Sequence, residues 1–492
     1  MSFMVRTWAQ RAKCTDVLAL EALEQVLPHA LIQAAADLAD RPTQRRRKLP
    51  ADVTLLLCVA MSLWAHEALE VVLATMVHGL RLFWRDPDIV LAHKSAISQA
   101  RYRLGARPVV ALFHRLCQPL ATERTPGAFF GGLRLVAMDG TVEDVPDSPA
   151  NARAFGRHQS DRGASAFPQV QGVYLSECGS HAVLDAGFWP CHTSERVGAL
   201  RLLRSVTAGM VLLLDRGFYS FEMIERTLAC GAHVLGRVPA GVTLTPRQLL
   251  PDGSYWAYIY PADKERRKQG DHLLVRVIVY TLTDPARPGY GETHRLVTTL
   301  LDAQAAPALD LICVYHRRWE IELTIDEMDT HQRLVQHPLR SQKPVGVIQE
   351  LYSLLLAHYA VRAIMAAAAT QADLAPTRLS FAQAVELIRV AIDDFHLVAP
   401  TAHARLYQRL LRDIAARRLP ERAPRTNPRV VKRKMSNFKL KRGAPPPASQ
   451  HLGAFAAAIH ILPQDLPAQQ ALDRPQPGDA PVGLPSLAPT LI

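Results

Sequence analysis

No two of the seven cysteines are spaced as CxxC, and their number is odd. This argues against a structural zinc site and suits a reducing cytoplasm, where Cys14, Cys58, Cys117, Cys178, Cys191, Cys230 and Cys313 read as small, mostly buried hydrophobes. No apolar run reaches the roughly 18 uninterrupted residues of a membrane span. His66, Glu67 and Glu70 cut the stretch Leu55 to Leu80, and His358 and Arg362 cut Leu351 to Ala369, so both read as buried helices and no membrane partner is expected. Met1 to Lys13 carries charges and no apolar core, so the start does not read as a secretory leader. The chain also lacks a P-loop, a GxGxxG turn and a Ser-His-Asp arrangement, which removes the usual grounds for expecting a nucleotide cofactor or acyl-transfer chemistry.

What is present is an ordinary globular composition, 49% hydrophobic and 21% charged, over 492 residues. That length exceeds one simple core and implies two to four domains. The net charge of +12 is unevenly placed. Between Arg417 and Arg442 eleven Lys and Arg, among them Lys432, Arg433 and Lys434, stand against the single Glu421. A second knot, TQRRRKLP, brings Arg45, Arg46 and Arg47 together near the start. Such clusters are the electrostatic footprint of a polyanion partner, most often nucleic acid; the plainer reading is a solvated basic segment that aids solubility.

Helical spacing dominates residues 1–130, with Gly105 suited to end SAISQARYRLG. That segment presents Gln99, Arg101 and Arg103 either as a DNA-reading helix or as an ordinary surface helix. From Leu133 the pattern turns to strands. LRLVAMDG, FPQVQGVYLSECG and HAVLDAGFW follow one another; helix, strand, helix and the strand AHVLGRVP come after, predicting a mixed α/β sheet over 131–239. Residues 240–300 read as β-rich, 301–372 as helical, and 373–442 as further helix ending in the basic segment. Residues 443–492 hold ten prolines and read as a disordered tail.

Two apolar strands end in a carboxylate: LVAMDG delivers Asp139 and VLLLDRG delivers Asp215. Strand ends of an open α/β sheet are where catalytic groups collect, although Asp215 also suits a helix cap or a pair with Arg216. In YHRRWEIELTIDEMD, Tyr315, Arg318 and Glu322 fall at i, i+3 and i+7 and share a helix face, which a simple Arg318–Glu322 ion pair also explains. Three acids on separate elements are a hard oxygen donor set of the kind Mg²⁺ takes beside a substrate phosphate. Two such ions serve in-line displacement at phosphorus.

These residues carry a resemblance. LVAMDGTVEDVPDSPANARAFG, LLLDRGFYS and YHRRWEIE, in this order, resemble the DDE transposases of the insertion-sequence-four family, whose catalytic domain has an RNase H-like fold. TQRRRKLPADVTLLLCVAMSLW resembles the family's amino-terminal domain and RTNPRVVKRKMSNF its basic carboxyl end, so the likeness spans roughly residues 20–440. The resemblance implies an RNase H-like mixed sheet interrupted by a β-rich insertion, flanked by an N-terminal helical DNA-binding domain and a C-terminal helical region. It implies Asp139, Asp215 and Glu322 as catalytic ligands of two Mg²⁺ ions, with Mn²⁺ able to substitute. Tyr315 and Arg318 would contact phosphate, and Trp256, otherwise a sheet-core residue, is a candidate for holding a flipped base. The partners implied are the element's terminal repeats, target DNA and a second copy of the chain, in a bacterial cytoplasm. The family signature Y-x2-R-x3-E-x6-K is met at three positions; at the fourth, Asp329 stands where the family has Lys. That reversal keeps open a binding-only regulatory copy, and a metal-dependent nuclease without strand transfer shares the same site.

Overall fold

The computed structural model describes residues 26–40, 49–76, 92–160, 163–287, 289–333, 339–398, 400–420 and 454–466. In the amino-terminal part, helices run over His29–Ala36 (α1), Ala51–Leu63 (α2), Leu69–Met76 (α3), Lys94–Leu104 (α4) and Arg107–Leu116 (α5). Pro50 opens α2, whose residues from Val53 to Leu63 are all buried. The reason lies in Pro344–Gln371, which packs across α2 and α5 as a long central helix. That helix is long and apolar enough to cross a membrane by length and composition, yet it is mostly buried inside the fold. It is therefore core, as its internal His358 and Arg362 predict.

The sheet begins with Leu133–Asp144 (β1), Gln169–Glu177 (β2) and Val183–Pro190 (β3), an antiparallel meander. Between β1 and β2 lies Pro149–Phe155 (α6). Glu195–Leu202 (α7) leads to Met210–Leu214 (β4), then Phe221–Ala229 (α8) to His233–Arg237 (β5). β4 pairs in parallel with both β1 and β5. The spatial order β3-β2-β1-β4-β5, with three antiparallel strands followed by two parallel ones, is the RNase H-like arrangement. Every residue of β4 is buried, as expected of a central parallel strand covered on both faces.

Residues 240–300 do not form a body of their own. Tyr255–Ile259 (β6), Leu273–Leu282 (β7) and Thr293–Thr298 (β8), with the short helix Lys264–Lys268 (α9), extend the same sheet, because β8 pairs antiparallel with β5 through Leu296–Arg237 and Thr298–Leu235. The chain then enters Ala308–Tyr315 (α10), a 3-10 turn at His316–Arg318, Trp319–Asp326 (α11) and a π-helical turn at Glu327–Gln332. The stretch read from sequence as one helix is thus wound in three ways. The Pro344–Gln371 helix (α12) follows, then Phe381–Leu397 (α13) and the amphipathic His403–Ala415 (α14), which packs on α12 and α13.

One expectation is corrected here. The proline-rich end includes ordered chain at residues 454–466: Ile459–Ile461 pairs antiparallel with Tyr280–Leu282 of β7, and Phe455 is buried, its ring 4.5 Å from that of His316. The short apolar run FAAAIHIL supplies enough buried surface to order this segment, and the proline count over fifty residues conceals it.

Candidate active site

The parallel pairing of β1 with β4 ends at Ala137 and Leu213. Asp139 and Asp215 each stand two residues further, so they continue the same register and share the carboxyl edge of the central strand pair. Each holds its carboxylate by the same device: the backbone N–H of the next residue, Gly140 or Arg216, donates to it. Asp215 also caps the single 3-10 turn after β4, while Ser220 caps α8, so the aspartate is not consumed as that helix's cap. β1 does not stop at Asp139 as its sequence suggests. Its pairing with β2 runs on to Asp144 while β4 has already turned away.

Glu322 comes from α11, which packs over β1 and β2. Arg318 joins the elements. Its Nη2 donates to Glu322 Oε1 at 3.0 Å, and its Nη1 lies 3.6 Å from Asp139 Oδ2. The guanidinium is buried, sits 4.8 Å over the Trp319 ring, and leaves Nε and Nη1 without a hydrogen-bond partner. Burial would lower the Arg318 pKa, but Tyr315 and the acids Asp139, Asp215 and Glu322 hold it above its ordinary value. Burial pushes Asp139 up to about 7; Arg318 and the Gly140 N–H oppose this, and Glu322 and Asp215 add to it. Burial also pushes the Tyr315 hydroxyl up to about 12, with Arg318 opposing and Asp215 adding.

A fourth acid, absent from the sequence reading, stands at the same edge. Glu195 is the first residue of α7, fixed by the Ser194 cap, and a side chain added at Gly140 would meet its carboxyl at 2.9 Å. Burial of that carboxyl raises its pKa, a hydrogen bond with Gln171 opposes the shift, and the charge on Asp215 adds to it. An acid in the first helical turn is too common a signal to single out from sequence.

The three sequence-picked acids are hard oxygen donors, the chemistry a divalent cation such as Mg²⁺ takes. Burial is the main cause of the raised Asp139, with the charges of Glu322 and Asp215 adding less, so the edge is a desolvated place at which a cation would meet acids already close together. Among the described residues no three His, Cys, Asp or Glu side chains stand at metal-ligand spacing; Asp139 and Glu322 both lie against Arg318.

Other sequence candidates fall elsewhere. Arg101 is corrected: only 6% exposed, it pairs with Glu350 and donates to Ser341 and the Gly346 carbonyl, tying α4 to α12. A guanidinium committed to a buried ion pair is not free to reach DNA. Trp256 on β6 is half-buried and donates its indole N–H to the Leu301 carbonyl at 3.2 Å. Arg45, Arg46, Arg47, Lys432, Arg433 and Lys434 lie outside the described residues. Asp329 takes a hydrogen bond with Glu143 of β1, with Arg333 beside both.

Two family profiles match the chain: the insertion element 4 transposase N-terminal domain over residues 17–114, and the transposase DDE domain over residues 130–359. The transposase InsG for insertion sequence element IS4 of Escherichia coli (strain K12) is 29% identical over 426 residues, covering 84% of this chain and 92% of that protein. The solved piggyBac transposase synaptic complex with hairpin DNA aligns over 84% of this chain and 88% of that one, at a TM-score of 0.43 and 13% identity. A sheet that ends in paired aspartates, with a glutamate helix laid across it, defines an enzyme of the DDE transposase class. Within that class the chain belongs to the IS4 family.

Proposed function

We propose that this transposase binds the terminal inverted repeats of its own element, cuts the DNA there and joins the freed end to a target, with Asp139, Asp215 and Glu322 holding two divalent metal ions. The observation that carries the reading is the common register of Asp139 and Asp215 at the edge where α11 brings Glu322 and Arg318. Bound Mg²⁺, or Mn²⁺ in its place, would activate the attacking oxygen and stabilise the leaving one.

The chain's own residues do the rest. Three carboxylates on three separate elements fix the metal positions against the rigid sheet. Arg318, buried and planar, orients Glu322 and sets its charge against Asp139. Tyr315 supports Arg318 from the preceding turn. In the first step water adds to the phosphodiester phosphorus at the element end, the 3′ oxygen leaves, and a proton passes to it. In the second step that 3′ hydroxyl attacks a phosphorus of the target strand and displaces another 3′ oxygen, so bonds broken and formed balance without an external energy source. The basic residues Arg45, Arg46, Arg47, Lys432, Arg433 and Lys434 supply sequence-independent phosphate contacts, Trp256 is the aromatic candidate for a displaced base, and a second copy of the chain brings the two ends together.

The regulatory reading rested on Asp329. Burial, with Glu143 adding to it, raises the pKa of that carboxyl, and the Arg333 guanidinium 3.8 Å away offsets its charge, so it repels a polyanion less than a bare surface carboxylate would. The experiment is strand cleavage by the purified protein on DNA carrying the flanking sequence of its own gene, with Mg²⁺, with EDTA and with D215A. Metal-dependent nicking at the repeat boundary, lost in D215A while DNA binding persists, supports the reading. Tight binding without cleavage in Mg²⁺ or Mn²⁺ favours the binding-only regulatory copy instead. Cleavage without joining leaves a nuclease.

A further inference from the structure

Glu195 is poised at the same sheet edge by three independent ties. The Ser194 hydroxyl accepts from Val197 N–H and sets where α7 begins. Arg196, the next residue, donates to the Gly217 carbonyl at 3.1 Å, which fastens the start of α7 to the turn that carries Asp215. The carboxyl of Glu195 lies over the backbone of Gly140, so close that a Cβ there would stand 2.9 Å from its Cδ and Oε1. This accounts for a residue that strand propensity does not: Gly140 follows Asp139 because the space above it belongs to Glu195. The residue as a whole is exposed, while its carboxyl is partly desolvated against Gly140. Gln171, which donates to the Thr141 and Gly172 carbonyls, supports it from β2.

We propose that Glu195 is a fourth carboxylate of the active site, acting on the divalent cation that Asp139 and Asp215 hold, either by touching it directly or through one of its waters. The inference rests on the metal-binding reading of Asp139 and Asp215 given above. An acid there makes chemical sense. A magnesium ion keeps several waters, and each bound water needs an acceptor that orients it. Glu195, fixed at a helix start with its carboxyl over Gly140, supplies one while Arg318 stays on Glu322.

The test uses the full-length protein and Mn²⁺ alone, read by loss of the free-ion electron paramagnetic resonance signal, with the variants E195Q, E195D, G140A and D215A. The expected result is Mn²⁺ affinity about tenfold weaker in E195Q, largely restored in E195D, with thermal midpoint and DNA affinity in EDTA unchanged. G140A should fold, since its methyl meets only the movable end of a side chain, and should weaken Mn²⁺ as E195Q does; the double variant should be no weaker than either single one. Wild-type Mn²⁺ affinity in E195Q, with binding lost in D215A, overturns this inference and leaves the metal-binding reading standing. Equal Mn²⁺ binding by wild type and D215A overturns both.

Discussion

Asp329 and Glu143 share a hydrogen bond between carboxyl groups, with the Arg333 guanidinium alongside both. The arrangement puts Asp329 against β1, four residues beyond Asp139, and gives it a partner of like charge that raises its pKa, with Arg333 opposing the rise.

Stability should therefore depend on pH through Asp329. An unfolded Asp ionises near 4, and burial beside Glu143 pushes the folded group up to about 8. Between those values the folded protein keeps a proton that the unfolded chain has lost, so this group's contribution to stability falls as pH rises from about 4 to about 8. D329N cannot ionise. Its thermal midpoint should drop less than that of wild type between pH 5 and pH 8.5, and parallel pH profiles for the two proteins would refute the shared-proton arrangement.

Arg318 should matter to chemistry more than to binding. It is the only cation that the described contacts place against both Asp139 and Glu322. Without it the acids repel one another and Glu322 loses the donor that holds it. R318A should lower single-turnover nicking by about 100-fold or more while DNA affinity in EDTA shifts far less. R318K, a point charge on a flexible stem, should recover only part. Nicking by R318A within a few-fold of wild type would remove Arg318 from the site.

Behind α11 lies a buried ion cluster. Glu327, five residues past Glu322 and at the start of the π-helical turn, receives Arg362 and His358 from α12 and His181 from the β2–β3 turn. His181 takes φ +63, a left-handed backbone that a non-glycine residue adopts when its side chain is held, as this one is between Glu320 and Glu327. E327A leaves the Arg362 charge buried without its counter-ion and should cost about 3–5 kcal/mol in urea unfolding. A cost below about 1 kcal/mol would mean that the other partners suffice.

The basic segment should act through counter-ion release. Replacing Lys432, Arg433 and Lys434 by Ala should weaken binding to every DNA sequence alike and flatten the plot of log affinity against log salt by about 2–3. An unchanged slope would show that these charges do not touch phosphate.

Much of this was legible in the chain because strand and acid signals are local. Apolar runs ending in Asp139 and Asp215 mark buried strands whatever surrounds them, and the mixed sheet follows from their order. What escaped depends on which face meets which neighbour. Arg101 has the spacing of an exposed reading helix, and only the approach of α12 with Glu350 shows that its face is buried. Glu195 looks like any acid in a first helical turn until Gly140 is seen beneath it. The π-helical turn after α11 leaves no mark in residue periodicity, since it is set by the Glu327 partners on α12 and at His181.

The strand at Ile459–Ile461 gives the far end of the described chain a seat on the sheet. It pairs with Tyr280–Leu282 of β7, and Phe455 just before it is buried with its ring 4.5 Å from that of His316, in the turn that leads into α11. Removing residues 454–466 would take a partner from β7 and uncover the His316 ring one turn ahead of Glu322. A truncation made to probe the basic segment would therefore also loosen the helix that carries the third acid, and side-chain replacement is the cleaner cut.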